Sequence, residues 1–413
     1  MKFYYQFKKV HTAEEYIDFL KEGYVNVNFG DAYALPREHV YKETNLFCQW
    51  LVSRQHESPM IAWRYAKALL QELDETLPFE QDLDKAYDIL IDLAQQDFAP
   101  AMHQLASYYT NHACKNDEQQ AQFWMDKAIQ QNYGTALFGK ACNLYFLRKN
   151  RQEGFELFLR AWQEGYPRAI YYVAKHYLDS DSNLALQYYE RGMDEEDWQC
   201  AYEMACFYYD GKLVPQDYCK AEDLYKKCIL WYLPNYEYSM LDSNILGKAY
   251  YALGNLHEQS LLPNSSMEQA LCYFESSADY GFADSAYKVA RMCEQGLCTK
   301  INLPKAAEFY RLSVGSTAKD NSMATTVKEA LVRICQQLEK KKSNFLSQAL
   351  AYLGQVYQIC HDYPNAEECY QKALSLGLID AGFELKQLDR IQGKPPRYIP
   401  QIDDPISNGD IPF

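Results

Sequence analysis

Along most of the chain a small residue recurs ahead of an apolar pair three and four positions later. Ala86 precedes Ile89 and Leu90, Ala121 precedes Trp124 and Met125, Gly154 precedes Leu157 and Phe158, and Ala185 precedes Tyr188 and Tyr189. The spacing returns at Ala221 (Leu224, Tyr225), Ala270 (Tyr273, Phe274), Ala306 (Phe309, Tyr310) and Ala366 (Cys369, Tyr370). Steps of three, four and seven put these side chains on one stripe of a helix. Another small residue often follows seven positions after the anchor, as at Ala128, Ala161, Gly192, Cys228, Ser313 and Ala373, where a neighbouring helix needs room to approach. Fifteen positions after the anchor a second helix is predicted to begin, on Ala101, Ala136, Ala169, Cys200, Ser285 or Ala381. Three of these helices continue with an apolar–small pair and a Tyr: Leu105 and Ala106 with Tyr109, Val173 and Ala174 with Tyr177, Met204 and Ala205 with Tyr208. Gly165, Gly281 and Gly377 fall in the turn between the two helices, where a left-handed residue closes a helix.

Anchor spacings are 35, 33, 31, 36, 49, 36 and 60 residues. Five lie in the range of stacked two-helix repeats, and the two long ones predict insertions. The first insertion centres on 232–244, where Pro234 and a Tyr cluster predict a loop. The second contains a helix near 323–338, the run EKKKSN and the helix carrying Ala349. It reads either as one repeat with an added helix or as two distorted repeats.

The helical text resembles Sel1-like repeats, relatives of the tetratricopeptide repeat. ALAYLGQVY (Ala349–Tyr357) and AYYALGNLH (Ala249–His257) are similar to that family's first helix. DYCKAEDLYKKC from Asp217 and LPKAAEFYRLS from Leu303 are similar to its second, and DGKLVPQD (Asp210–Asp217) resembles its connector with one Gly lost. The resemblance implies an all-α, right-handed α-solenoid of about eight two-helix repeats over 83–390, and a protein-binding role. Residues 1–82 are predicted to form a helical cap, with Met60–Leu73 a clear helix and Val25–Pro36 the only strand-like or loop-like stretch. Terminal repeats diverge because one face meets water. Residues 391–413, rich in Pro and aperiodic, are expected to be extended and laid along the solenoid.

Composition changes this picture little, but charge narrows the partners. The net charge of -15 disfavours nucleic acid and anionic membrane, and fits a basic protein partner, although acidity also serves solubility. The N-terminus has no secretory h-region and no apolar run approaches a membrane span, so a cytoplasmic location is expected. The 13 Cys are scattered with no CxxC and are expected to be reduced, structural thiols, Cys293 and Cys298 included.

No phosphate-binding loop, dinucleotide fingerprint or zinc motif is present, and no cofactor, metal or catalytic residue is expected. Ser316 and Lys319 match an S-x-x-K pattern without its companion motifs, a chance match that leaves a serine hydrolase as a remote alternative. Of the 37 Tyr, most are explained by packing: Phe138, Tyr171, Tyr202, Tyr251 and Tyr287 occupy the family's aromatic position. Tyr108, Tyr172 and Phe207 lie off that consensus and are expected to face the concave groove. With Tyr232, Tyr236 and Tyr238 of the insertion they are the aromatic candidates for partner contact. The run Asp194, Glu195, Glu196 and Asp197 reads either as a solvated turn or as a docking point for a basic patch. The resemblance implies a bacterial immunity or antitoxin-like protein that neutralises a toxin, with a scaffold or regulatory adaptor as the alternative.

Overall fold

The computed structural model describes residues 2–5, 8–29, 37–71, 79–111, 117–147, 150–232, 240–298, 300–314, 321–395 and 397–399. These form an α-solenoid of antiparallel helix pairs, divided into two compact units within one helix, at Met204 and Ala205.

In the first unit, strand β1 (Lys8–Val10), helix α1 (Ala13–Glu22) and strand β2 (Val27–Phe29) make a small parallel ribbon, with Lys8 opposite Val27 and Val10 opposite Phe29. A strand at residues 8–10 is a departure from the helical cap expected there. Its polar KKV sequence lacks alternation, and its order comes from pairing with β2. Thr12 and Glu15 form a capping box at the start of α1, and Gly23 closes it with φ 102°. Helices α2 (Arg37–Arg54) and α3 (Pro59–Leu69) follow, then α4 (Leu83–Gln95), α5 (Ala99–Asn111), α6 (Glu118–Gln130), α7 (Gly134–Phe146), α8 (Arg151–Gln163), α9 (Ala169–Tyr177) and α10 (Ser182–Asp194). Tyr5 accepts the Gly134 N–H at 2.9 Å and packs edge-on to Tyr166, tying the N-terminal segment to the start of α7.

The division falls in α11 (Trp198–Asp210). The second unit continues with α12 (Tyr218–Tyr232), α13 (Met240–Glu258), α14 (Met267–Asp279), α15 (Ala283–Gln295), α16 (Leu303–Leu312), α17 (Asn321–Lys340), α18 (Leu346–Ile359), α19 (Tyr363–Ser375) and α20 (Asp380–Ile391). The long second insertion is one added helix. α17 packs against both α16 and α18 through Ala324, Val327, Leu331, Ile334 and Leu338, all buried.

Among the described residues, seven of the eight anchored helices share one kind of start and six share one kind of stop. Asp82, Asp117, Asn150, Asp181, Asp217, Ser266 and Asn302 stand four residues before an anchor, and each accepts an amide hydrogen from the first turn. Such caps satisfy N–H groups that the helix itself cannot. Eleven residues after the anchor the backbone turns left-handed, at Asp97, Asn132, Gly165, Glu196, Gly281 and Gly377. The next N–H returns to the carbonyl seven after the anchor: Phe98 to Leu93, Tyr133 to Ala128, Tyr166 to Ala161, Asp197 to Gly192, Phe282 to Ser277 and Leu378 to Ala373. This six-to-one bond closes the helix in a Schellman turn.

At the first insertion the stop is missing. Position 232, eleven after Ala221, is Tyr, and α12 runs on to it. On the far side α13 already begins at Met240, so both edges of the expected 232–244 loop are helical. A bulky aromatic tolerates the left-handed region poorly, so Tyr232 does not halt the helix where Gly, Asn, Asp or Glu does elsewhere.

Candidate protein-binding site

The acidic turn after α10 is built by the repeat and partly consumed by it. Asp194 is the last residue of α10, and Glu195 and Glu196 form the turn, Glu196 with φ 57°; all three are exposed. Asp197 is 4% exposed. It occupies the position that Phe98, Tyr133, Tyr166, Phe282 and Leu378 fill in other repeats, and its Oδ1 accepts the Cys200 N–H at 2.8 Å to cap α11. Burial pushes its carboxyl up to about 6, against the lowering by the Cys200 hydrogen bonds and by Arg168. A carboxylate so enclosed has no surface for a partner, so Asp197 leaves the docking set.

Glu195 is engaged by a surface aromatic. Trp162 of α8 donates its Nε1–H to Glu195 Oε1 at 3.0 Å. The Arg191 guanidinium lies 4.6 Å from the Trp162 ring centroid. Tyr188 meets Trp162 edge-on, and Tyr177 stacks on Tyr188 at 5.7 Å. The result is a half-exposed cluster of Trp162, Tyr177 and Tyr188 with Arg191 against the Trp162 ring, reached from the turn by Glu195, whose sequence neighbours Asp194 and Glu196 are exposed. Trp162 was not singled out from the sequence, because its surface role depends on a turn 33 residues away.

The aromatic candidates separate. Tyr108 is 1% exposed, between Tyr87 and Tyr109 in the core of α4 and α5. Phe207 and Tyr232 are also buried. These three are corrected from groove or loop contacts to packing residues, since the neighbouring helices cover the faces expected to be open. Tyr172 is half-buried and stacks on Phe158 at 4.8 Å, with Phe138 and Phe146 against its other sides. Phe146 and Leu147 are exposed, so Tyr172 supports a small apolar surface at the end of α7. Tyr236 and Tyr238 lie outside the described residues, as do Ser316 and Lys319.

Among the described residues, no group of three or more His, Cys, Asp or Glu is placed to hold a metal, and no helix is long and apolar enough to cross a membrane. Burial raises the thiols of Cys293 and Cys298, and Cys298 donates to the Met267 carbonyl at 3.3 Å.

Stacked, capped helix pairs that carry aromatic and charged surface define a repeat protein for binding other proteins. The chain belongs to the Sel1 repeat family, whose model matches residues 99–133, 137–166, 167–195, 198–227, 247–281, 283–314 and 347–378. Sel1 repeat proteins mediate protein–protein interaction, and no enzymatic family is indicated. Seven of the eight anchors lie in the matched spans; Ala86 does not, although Asp82 and Asp97 bound its helix in the common way.

Over 123 residues the chain is 30% identical to an alginate biosynthesis protein of Azotobacter vinelandii; the match covers 28% of this chain and 24% of that protein. A protective antigen of uropathogenic Escherichia coli with an SLR fold is 18% identical with TM-score 0.40, covering 85% of this chain and 84% of its own. A Sel1 repeat protein from Oxalobacter formigenes is 17% identical with TM-score 0.46, covering 85% and 93%. An immunity protein from Pseudomonas aeruginosa is 18% identical with TM-score 0.35, covering 55% and 82%.

Proposed function

We propose that this chain is a non-enzymatic cytoplasmic binding protein of the immunity type, which captures and neutralises one basic protein toxin. Residues 1–82 serve as cap, 83–390 as binding solenoid and 391–413 as tail. The observation that carries the reading is the exposed acidic turn Asp194, Glu195 and Glu196, joined through Glu195 to the Trp162 cluster, in a chain of net charge -15. A large aromatic anchor within like charges suits a basic partner: the ring supplies buried area, and the acids speed and orient encounter.

The test is co-purification with the product of a neighbouring gene, followed by protection of cells that express that product. A single tight, basic partner whose toxicity this chain abolishes is the expected result. Stable association with several housekeeping proteins and no protection would overturn it in favour of an adaptor.

A further inference from the structure

The last described helix, α20, carries an acid where α5, α9, α11 and α18 carry a Tyr. Eight residues after the small residue that opens the helix stand Tyr109, Tyr177, Tyr208 and Tyr357; after Ala381 the same position is Asp389. Asp389 is 2% exposed, so its carboxylate needs a cation delivered into the fold. The chain delivers one itself. Beyond Gly393, with φ 66°, the Lys394 N–H bonds back to the Asp389 carbonyl and the chain returns over the helix end. Arg397 donates Nε to Asp389 Oδ2 at 2.7 Å, Nη2 to Oδ1 at 2.5 Å and its backbone N–H to Oδ2 at 3.1 Å. Its Nη1 donates to Glu367 Oε1 of α19 at 2.8 Å. Tyr398 then points outward at 64% exposure, and Ile399, 4% exposed, joins the core of the second unit.

In, out, in is the alternation of an extended peptide read by a surface, and the seat recognises three things. The two carboxylates take a guanidinium in a fork that ammonium does not reproduce. Asp389 also takes a backbone N–H, which fixes the depth of the segment. An aliphatic side chain two residues on fills an apolar place. None of these contacts requires that the segment belong to this chain. Tethering adds to these contacts a high effective concentration of the segment at the site.

We propose that Asp389, Glu367 and the apolar place under Ile399 form a receptor for extended protein segments of the pattern Arg-x-aliphatic, and that the chain's own tail occupies it as an intramolecular competitor. A partner engages by displacing Arg397. The proposal does not require that partner to be a toxin.

The experiment uses the full chain and a fluorescent peptide with the sequence KPPRYIPQI, that of residues 394–402. In fluorescence anisotropy the wild-type chain is expected to bind it weakly, because its own tail competes. Arg397→Ala empties the seat and should bind at least about tenfold more tightly. Adding Asp389→Asn should return binding to the wild-type level, and a peptide with Ala in place of its Arg should not bind the single variant. Arg397→Lys, which keeps a cation on Asp389 but loses the fork, gives an intermediate gain and serves if the Ala variant is not folded by circular dichroism. Equal affinity of the wild type and both folded Arg397 variants overturns the proposal. So does undiminished binding by the double variant.

Discussion

Asp197 offers a direct measurement of what the acidic turn costs. Its carboxyl titrates at about 6 in the fold, against an ordinary 3.8, because burial outweighs the Cys200 hydrogen bonds and the Arg168 charge. Between pH 4 and 6 the folded protein therefore holds a proton that the unfolded chain has released, and stability falls as pH rises through that window. At 1.36 kcal/mol for each tenfold change, the charge weighs against the fold by about 3 kcal/mol at pH 7. Asp197→Asn removes the charge and keeps an oxygen to accept the Cys200 N–H. It should stabilise the first turn of α11 by up to about 3 kcal/mol at pH 7 and by almost nothing at pH 4. Solenoid repeats open locally, so the assay is amide hydrogen exchange over residues 186–206 at both pH values, with protection converted to free energy. A gain that is the same at pH 4 and pH 7 would refute burial of the charge as the cause. No gain at either pH would refute the reading altogether.

Other positions give shorter tests. Asp181→Ala removes the Oδ1 that accepts the Leu184 N–H at 3.0 Å. A loss of about 1 kcal/mol by urea unfolding is expected, largely spared by Asp181→Asn. Gly354→Ala would place a Cβ 2.7 Å from the Tyr370 ring. Overpacking of about 1–3 kcal/mol against a helix gain of about 1 kcal/mol leaves a net loss, which Tyr370→Leu in the same chain should relieve in thermal unfolding. Tyr5→Phe leaves the Gly134 N–H without its acceptor and should cost about 1–3 kcal/mol. Faster proteolysis of the N-terminal segment is the readout, and an unchanged rate would count against the tether.

Much of the repeat is legible in the sequence because its small and large residues alternate at helical spacing over short distances. Ala86, Ala121 and their counterparts announce the anchored helices, and Gly165, Gly281 and Gly377 announce some of the stops. The matching caps, from Asp82 to Asn302, are equally local and equally readable, at four residues before seven of the eight anchors. The stops at Asp97, Asn132 and Glu196 are harder, because a residue with a side chain enters the left-handed region at a cost that its own identity does not announce. Tyr108 and Phe207 were misplaced because which side of their helix is covered depends on the neighbouring helices, not on the helix's own period. Trp162 and Glu195, and likewise Arg397 and Asp389, meet across the fold, and only the odd residue type at positions 197 and 389 hints at something special.

The bounded helices also act as a ruler. α4, α6, α8, α10 and α14 are each thirteen residues long, held between a side-chain cap and a left-handed stop, and α19, with the stop alone, keeps the same length. A residue gained or lost between those marks rotates everything after it by about 100° and turns the buried stripe towards water. Length variation is thereby steered into the stretches between helices, and this chain's two large additions lie there: one after α12, where the stop is missing, and one as the whole of α17. Related chains are expected to change in cassettes: new loops and whole helices between the marks, with the thirteen-residue measure kept.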